Sequence, residues 1–418
     1  MATELPALEQ PLSEGGIRTV NFFNGRLLTG SDMGREQAAR READARIGLA
    51  VGDGVAAGLE VSYKGKIAAD NRPAVNIKAG IAVNREGRTL RLAQDVTLEV
   101  SRQAASGPAA VHCLFEDCVD QSPGAYVGGQ GLYLLTIAPA FVSEGRAQTN
   151  GFDNKAVRCN TDATVEAVQF RTIEIDPQKL GGASFAAADF RNRVAYRAFG
   201  EGVTRAWAAD LIGSDPRGDD LLDGLGTLLR RDEVPLALLA FTGSSNHLFT
   251  DNWSVRRPVC LRDSDDVLAN LADLRRPAVG RAMFRQFQDH VETLAAANPN
   301  RKLPSITARG HFPWLPPAGI LQWLTDQEAL AFFSGMTVRG PLHIDAAGVE
   351  PLIRESFVMP AIEAASQEAV WLYRVVQNRM RTPAPAPVLI FASGHLPYRG
   401  DARFDLNYWN YANYALMP

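Results

Sequence analysis

The clearest pattern in the chain is a period-two alternation of apolar and polar residues between positions 54 and 100. The alternating apolar residues are Leu59, Val61, Tyr63, Val75, Ile77, Ile81, Val83, Leu90, Leu92, Val96, Leu98 and Val100. The turn-forming sequences KG, DNRP and NREG interrupt the alternation. Short alternating segments joined by such turns are typical of antiparallel strands. This region is therefore predicted to be a small β-domain.

A charged helix is predicted immediately before it, from about 31 to 50. Thr29 or Ser31 can accept a hydrogen bond from an amide of the first turn, and Asp32 favours the positive end of the helix dipole. The following sequence GDGVAA contains the glycine spacing of a dinucleotide-binding loop. That loop must follow a strand and open a helix, whereas this one ends a helix and enters a strand. The glycines are interpreted as a helix stop followed by a tight turn.

The apolar face of this helix is narrow. Its least polar residues, Ala39, Ala43 and Ile47, recur every four residues and are surrounded by charged side chains. Such a stripe buries little area, so packing against its own domain would stabilise the helix only weakly. Two interpretations remain: a surface helix with one narrow contact, or a helix that is shared between subunits or docked on a larger assembly.

Strand-like and helix-like segments alternate through the remainder of the chain. The predicted strands are 131–142, 164–175, 234–241, 371–377 and 388–394. The predicted helices are 184–210, broken near Gly200 and Gly202, and one or two helices within 263–297. These segments predict an α+β fold, mainly antiparallel β, in which an N-terminal helix is followed by small β-domains with helical insertions.

The length of 418 residues favours several domains over one hydrophobic core. The predicted parts are an N-terminal arm and attachment helix at 1–52, a small β-domain at 53–105, a central mixed β/α domain at 106–262, and a C-terminal α+β domain with an aromatic tail at 263–418. The tail carries Tyr408, Trp409, Tyr411 and Tyr414 within seven residues. This cluster is either an exposed binding surface or a plug packed under its own domain.

Composition and charge exclude some functions. An apolar fraction of 46% and a charged fraction of 22% are ordinary for a soluble globular protein. The formal charge is −4 and no block of lysine or arginine occurs, which argues against nucleic-acid binding as the main function. The first residues lack the cationic start and apolar stretch of a signal peptide, so we expect synthesis in the cytoplasm without one. No apolar run approaches the roughly 18 residues of a membrane helix.

The sequence contains no standard motif for a nucleophile, a catalytic metal, a phosphate loop or a calcium loop. His112, Cys113 and Cys118 raise the possibility of zinc. Their spacing is wider than usual and the other cysteines, Cys159 and Cys260, form no second pair, so no metal site is predicted.

Two acidic clusters, at Asp215, Asp219 and Asp220 and at Asp263, Asp265 and Asp266, adjoin presumed helix starts. Carboxylates commonly cap helices in such places. A catalytic pair would need to be placed in a cleft by folding. We therefore predict no catalytic residue and no cofactor, and the protein is expected not to be an enzyme.

Three phrases in the first hundred residues carry a resemblance to a known group. The first consists of Phe23, Gly25, Arg26, Leu28, Asp32, Met33, Glu36 and Gln37; the second of Gly54, Val55, Gly58, Leu59 and Val61; the third of Ala79, Gly80, Ala82, Gly87 and Arg88. With them, the chain resembles uncharacterised proteins encoded with phage-tail-like contractile injection systems. More distantly, it resembles the baseplate-attachment ends of phage tail-fibre proteins. FPWLPPAGIL, FFSGMTVRGPLHID and EAVWLYRVVQN are similar to later segments of the same proteins.

The resemblance implies a structural subunit of a contractile particle, baseplate-proximal or fibre-type, present in several copies and finally located in the assembled particle. It implies no catalytic residue. Its partners would be other subunits of the particle and further copies of this chain, with a trimer as one form. Three copies around an axis, or one copy against a baseplate subunit, would bury the stripe of the first helix.

Four apolar residues before the helix, Phe22, Phe23, Leu27 and Leu28, are then expected to anchor the interface, because aromatic and aliphatic side chains at an interface centre carry most of the binding energy.

Two other functions remain as alternatives. One is a receptor- or glycan-binding protein that uses the C-terminal aromatic residues. The other is a hydrolase of polysaccharide or cell wall with a carboxylate pair assembled by folding.

Overall fold

Helices and mostly antiparallel strands alternate along the chain, which confirms the α+β class. The computed structural model describes residues 15–67, 72–101, 127–149, 158–176, 183–200, 221–243, 246–260, 275–297, 303, 306–322, 324–376, 388–394 and 396. Its α-helices are α1 (Gly30–Val51), α2 (Phe190–Phe199), α3 (Arg275–Ala296), α4 (Ala308–His311), α5 (Asp326–Phe332) and α6 (Ala346–Ser356), and Asp223–Leu228 forms a 3-10 helix.

The strands of the first hundred residues are β1 (Gly54–Gly58), β2 (Val61–Ile67), β3 (Arg72–Ile77), β4 (Gly80–Val83), β5 (Thr89–Leu92) and β6 (Val96–Glu99). The later strands are β7 (Gln130–Thr149), β8 (Arg158–Ile175), β9 (Val234–Gly243), β10 (Asn246–Asp251), β11 (Trp314–Leu315), β12 (Ala318–Leu321), β13 (Thr337–Asp345), β14 (Ile362–Glu363), β15 (Ala369–Val376) and β16 (Leu389–Ser393).

The first six strands form two small antiparallel sheets, β1-β4-β5 and β2-β3-β6, as the alternating pattern predicts. Their inward side chains share one hydrophobic core with β7 and β9 of the central sheet. Buried members of this core from the first hundred residues include Leu59, Val61, Val75, Ile77 and Leu90, and those from the central sheet include Tyr133, Leu135, Leu236, Leu239 and Phe241. The small sheets therefore bury their apolar faces against the central sheet as well as against each other.

The central sheet is antiparallel with the strand order β10-β9-β7-β8. Its second face is covered by α2 and the 3-10 helix, which contribute Phe190, Val194 and Leu225 to another buried cluster. β7 and β8 have 20 and 18 residues. β9 pairs with β7 only as far as Ile137, so the outer parts of β7 and β8 continue as a two-stranded ribbon.

The C-terminal sheet has the order β12-β16-β15-β13. β15 and β16, both predicted from the sequence, pair with each other in antiparallel fashion, and β13 joins β15 in parallel. One face of the sheet holds a cluster of phenylalanines that includes Phe287 of α3, whose ring centroid lies 5.3 Å from that of Phe391. Leu352 of α6 belongs to a cluster that also contains Trp371 and Tyr373 of β15. The sheet is thus buried by helices from both sides.

The beginning and end of α1 follow the sequence prediction. The Asp32 amide donates to Thr29 Oγ1 at 3.2 Å, and the Thr29 amide donates to Asp32 Oδ2 at 3.1 Å, which forms a reciprocal capping box. At the other end, Gly52 has φ +104°, a backbone conformation that favours glycine. The chain turns there and enters β1, which confirms the predicted helix stop and turn.

Two glycines bring the end of α1 directly onto the turn between β4 and β5. A Cβ atom on Gly48 would lie 1.9 Å from the Gly87 carbonyl oxygen, and one on Gly87 would lie 1.9 Å from the Ala45 carbonyl oxygen. Gly87 also has φ +80°, so a side chain there would be strained as well as crowded. Gly87, which belongs to the third sequence phrase, therefore allows the end of α1 to pack directly on this turn.

The small β-region also meets β10 through an aromatic pair. The rings of Tyr63 and His247 are stacked, with centroids 3.9 Å apart and planes 9° apart, and both rings meet Phe241 edge-on. His247 Nε2 lies 2.8 Å from Thr250 Oγ1. Burial lowers the pKa of His247 to about 4, because the cationic imidazolium is poorly solvated there.

We expect Gly48→Ala to destabilise the attachment of α1, because the new methyl group collides with backbone. The free energy of unfolding should fall by about 1–3 kcal/mol, and amides near the end of α1 should exchange hydrogen faster. Gly34→Ala in the same helix is the control, since its Cβ would meet no atom within 4 Å. It should instead stabilise by about 0.5–1 kcal/mol. Equal stabilisation by both substitutions would show that the helix does not lie on the turn.

Because of His247, the free energy of unfolding should also decrease as the pH is lowered from about 6.5 to about 4. In this interval the unfolded chain binds a proton that the folded chain does not, because the folded pKa lies below the ordinary value of 6.5. His247→Phe keeps the ring stack and removes the proton-binding group. Urea unfolding at pH 7 and pH 5 should therefore show a smaller loss of stability in this variant than in the wild type. The exposed His343→Phe is the control and should leave the loss unchanged.

Candidate functional site: an N-terminal assembly surface

The segment that leads into α1 exposes its large apolar side chains. Phe22 is 51% exposed, Phe23 62%, Leu27 85% and Leu28 51%. The local fold of this segment is a turn in which the Arg26 amide donates to the Phe23 carbonyl oxygen at 3.1 Å. These are the four residues that the sequence predicts as interface anchors. The structure places them together in one short segment and leaves them open to solvent.

α1 itself is mostly exposed. Only Asp32, Ala39 and Gly48 are buried in its 22 residues. Within the predicted stripe, Ala39 is buried by the chain itself, whereas Ala43 is exposed and Ile47 is 65% exposed. Val51, one turn after Ile47 on the same side of the helix, is exposed as well. The stripe is therefore only partly covered by the part of the chain that the structure describes.

We define the N-terminal surface as Phe22, Phe23, Leu27, Leu28, Ala43, Ile47 and Val51. Arginines and a carboxylate hold its framework in place. Arg26 pairs with Asp32 at 2.7 Å, and Arg46 donates to the Gly15 carbonyl oxygen, so the lead-in is tied to both ends of α1. Hydrogen bonds from Thr29 and then from Arg26 lower the pKa of Asp32, which keeps its carboxylate ionised at the helix start. Arg41 lies over the Phe141 ring of the β7–β8 ribbon, 5.8 Å from its centroid.

Several sequence predictions fall outside the described residues. These are the aromatic tail with Tyr408, Trp409, Tyr411 and Tyr414, the sequence from His112 to Cys118, and both acidic clusters. In the part of the chain that the structure describes, no three His, Cys, Asp or Glu residues are grouped so that they could hold a metal ion. No helix in this part has both the length and the apolar character needed to cross a membrane.

An ionic cluster that the sequence did not predict connects the central sheet to α3; Arg191 and Asp251 are buried, whereas the Asp289 side chain is 43% exposed. Arg191 of α2 pairs with Asp289 of α3 and lies 3.5 Å from Asp251 of β10. Gln286 Nε2 donates to Asp251 Oδ2 at 3.0 Å, and two backbone amides donate to Asp251 Oδ1. Burial raises the pKa of Asp289, and Arg191 opposes that rise. Because the partners are 35 to 98 residues apart in sequence, no local pattern predicts the cluster.

A second polar connection joins α2 to the C-terminal region. The side-chain amide of Asn192 donates to the Trp314 carbonyl oxygen at 2.9 Å and accepts from the Trp314 amide at 3.1 Å. Asn192 thereby pairs with β11 as a neighbouring strand would. It is 1% exposed, so these bonds are shielded from water. α2 is held to both the central sheet and the C-terminal sheet region.

Comparisons with known proteins do not assign this chain to a family. No family model matches the chain, and no curated protein matches it significantly. Among the solved structures that match is one described as "Crystal structure of TssK". It is 8% identical, the match covers 92% of this chain and 93% of that chain, and the TM-score is 0.27. A TM-score of this size does not establish a common fold, and no property of TssK is transferred to this chain.

Arg191→Leu should destabilise the fold severely, because it leaves Asp251 and Asp289 without their shared cation. We expect a loss of about 3–5 kcal/mol in the free energy of unfolding, measured by chemical denaturation. Arg193→Leu on the same helix is the control. Its ion pair with Asp189 is solvent-exposed on the arginine side, so the loss should stay below about 1 kcal/mol. Similar losses for the two variants would contradict the connecting role of Arg191.

Proposed function

We propose that the protein is a structural subunit of a phage-tail-like contractile injection particle, baseplate-proximal or fibre-type, and that it assembles through its N-terminal surface. The observation that carries the proposal is the exposure of α1 and its lead-in: a 22-residue helix with three buried residues, preceded by four exposed large apolar side chains. The resemblance of the three sequence phrases to proteins encoded with such particles supports the choice of assembly.

Burial of the N-terminal surface by a partner would be energetically favourable. Burial of one Phe or Leu side chain contributes about 1.5–3 kcal/mol. Four such side chains in one segment are enough to supply the centre of a protein interface, where few residues carry most of the binding energy. The capping box and the Arg26–Asp32 pair hold the segment in shape before binding. A preorganised segment loses less entropy when a partner covers it.

The partner that we propose is a second copy of this chain or another subunit of the particle. Copies around a rotation axis would place α1 helices side by side, with the small Ala43 allowing close approach and Ile47 filling the contact. A trimer is one such arrangement. In this role the chain acts by binding, with no catalytic residue and no cofactor, and its final place is the assembled particle.

Replacement of the four lead-in residues tests the proposal. The variant Phe22→Ser, Phe23→Ser, Leu27→Ser and Leu28→Ser should shift self-association, measured by analytical ultracentrifugation of the full chain, to at least about 100-fold higher concentration, since each tenfold corresponds to about 1.4 kcal/mol. The control carries Ser at four exposed apolar positions elsewhere, Leu228, Leu248, Leu330 and Val358. It should associate as the wild type does.

Association with the particle is measured separately. Tagged wild type and control should sediment with contractile particles from producing cells in a density gradient, and the lead-in variant should remain with free protein. A wild-type chain that is monomeric at high concentration would contradict self-association. Absence of the wild type from purified particles would overturn the proposed function itself.

A further inference from the structure

The structure also contains a basic cleft that shares no residue with the N-terminal surface. It has a volume of about 380 Å³ and is bounded by β1, by the segment after β10 and by α3. The charged and aromatic residues that line it are Glu60, Trp253, Arg256, Arg257, Arg281 and Arg285. Four arginines and one glutamate thus line the cleft, and the Arg257 guanidinium already donates to the Trp253 and Ala198 carbonyl oxygens. The positive potential of a cleft with protein walls is stronger than that of the same charges on an open surface.

Two of the arginines are held in place by Trp253. The guanidinium carbons of Arg256 and Arg285 lie 5.6 Å and 5.8 Å from the centroid of its ring. Arg256 is also fixed by hydrogen bonds to the Gly58 carbonyl oxygen and, at 3.3 Å, to Glu60. Its buried Nε has no hydrogen-bond partner in the part of the chain that the structure describes. Donors positioned in this way are ready for an anion.

Positive charge on α3 is left uncompensated in the cleft. Arg281 and Arg285 are exposed and stand one turn apart on α3, where like charges four residues apart destabilise a helix. Arg281 makes no hydrogen bond or ion pair among the described residues. An anion in the cleft would neutralise both side chains. The helix thus carries a repulsion that a ligand of opposite charge removes.

We propose that this cleft binds an acidic segment of a neighbouring subunit through its carboxylates. The choice of a protein ligand rests on the proposed function. Glu60 shows the mode of binding, because its carboxylate already pairs with Arg256 in the cleft. Planar guanidinium groups match planar carboxylates in two-point hydrogen bonds. The remaining wall includes the small side chains Ala56, Ala57 and Ala278, which leave room for a polypeptide backbone.

The test uses a fluorescein-labelled hexaglutamate peptide and fluorescence anisotropy with the full chain. Arg281→Glu with Arg285→Glu should weaken binding by about tenfold or more, because two charge-assisted contacts become repulsive. The control, Arg91→Glu with Arg354→Glu, makes the same change in net charge at exposed sites on β5 and α6. It should bind within about twofold of wild type. Hexaglutamine should not bind, and thermal unfolding should confirm that both variants fold.

Each other outcome contradicts the proposal in a distinct way. Equal weakening by the control pair would show a general charge effect. Displacement of the peptide by micromolar inorganic phosphate would assign the cleft to small phosphate anions. If the wild type fails to bind while Asp263→Asn, Asp265→Asn and Asp266→Asn together create binding, the cleft belongs to the chain's own acidic segment. The lead-in variant should bind hexaglutamate normally, so failure of the assembly proposal and failure of this one remain distinguishable.

Discussion

Burial of the central sheet on both faces is the constraint on which the rest of this structure depends. One face of β7 and β9 shares its core with the two small sheets, and the other face is covered by α2 and the 3-10 helix. The apolar face of each small three-stranded sheet stays open to water unless a second layer covers it. The central sheet therefore stabilises the small β-region, and through α2 it also positions the C-terminal sheet region.

α1 stands apart from this arrangement. It touches the small β-region where Gly48 meets Gly87, and most of its surface remains exposed. Its start is well formed by the Thr29 capping box, so its exposure does not come from a poorly defined helix. A helix that is locally stable but little buried offers its surface to another chain at a low entropic cost. This is the physical basis for proposing that the N-terminal surface mediates assembly.

Charged groups have two different uses in the molecule. The cluster of Arg191, Asp251 and Asp289 is compensated within the chain, so it fixes the relation of α2, β10 and α3. The cleft a short distance along α3 has an excess of arginine over carboxylate. The first arrangement stabilises the fold because its charges are paired. In the second, Glu60 pairs with Arg256, and Arg281 and Arg285 add positive charge that favours an anion.

Local patterns in the sequence determined much of the fold. The alternation from 54 to 100 predicted the small strands, and the sequences at Thr29 and Gly52 predicted the two ends of α1, because turns, caps and strand faces depend on neighbouring residues. Phe22, Phe23, Leu27 and Leu28, which the sequence analysis predicts as interface anchors, are exposed in the structure.

Only the tertiary structure decided which faces meet. It buried Ala39 but left Ala43 and Ile47 exposed. α1 packs on the small β-region through the contact of Gly48 with Gly87, which the periodicity of the sequence does not reveal. It paired β13 with β15 in parallel, and it gathered Arg191, Asp251 and Asp289, and separately the arginines of the cleft, from distant positions. Such groupings depend on packing between elements that are distant in sequence, and the local pattern of a single sequence carries no signal for them.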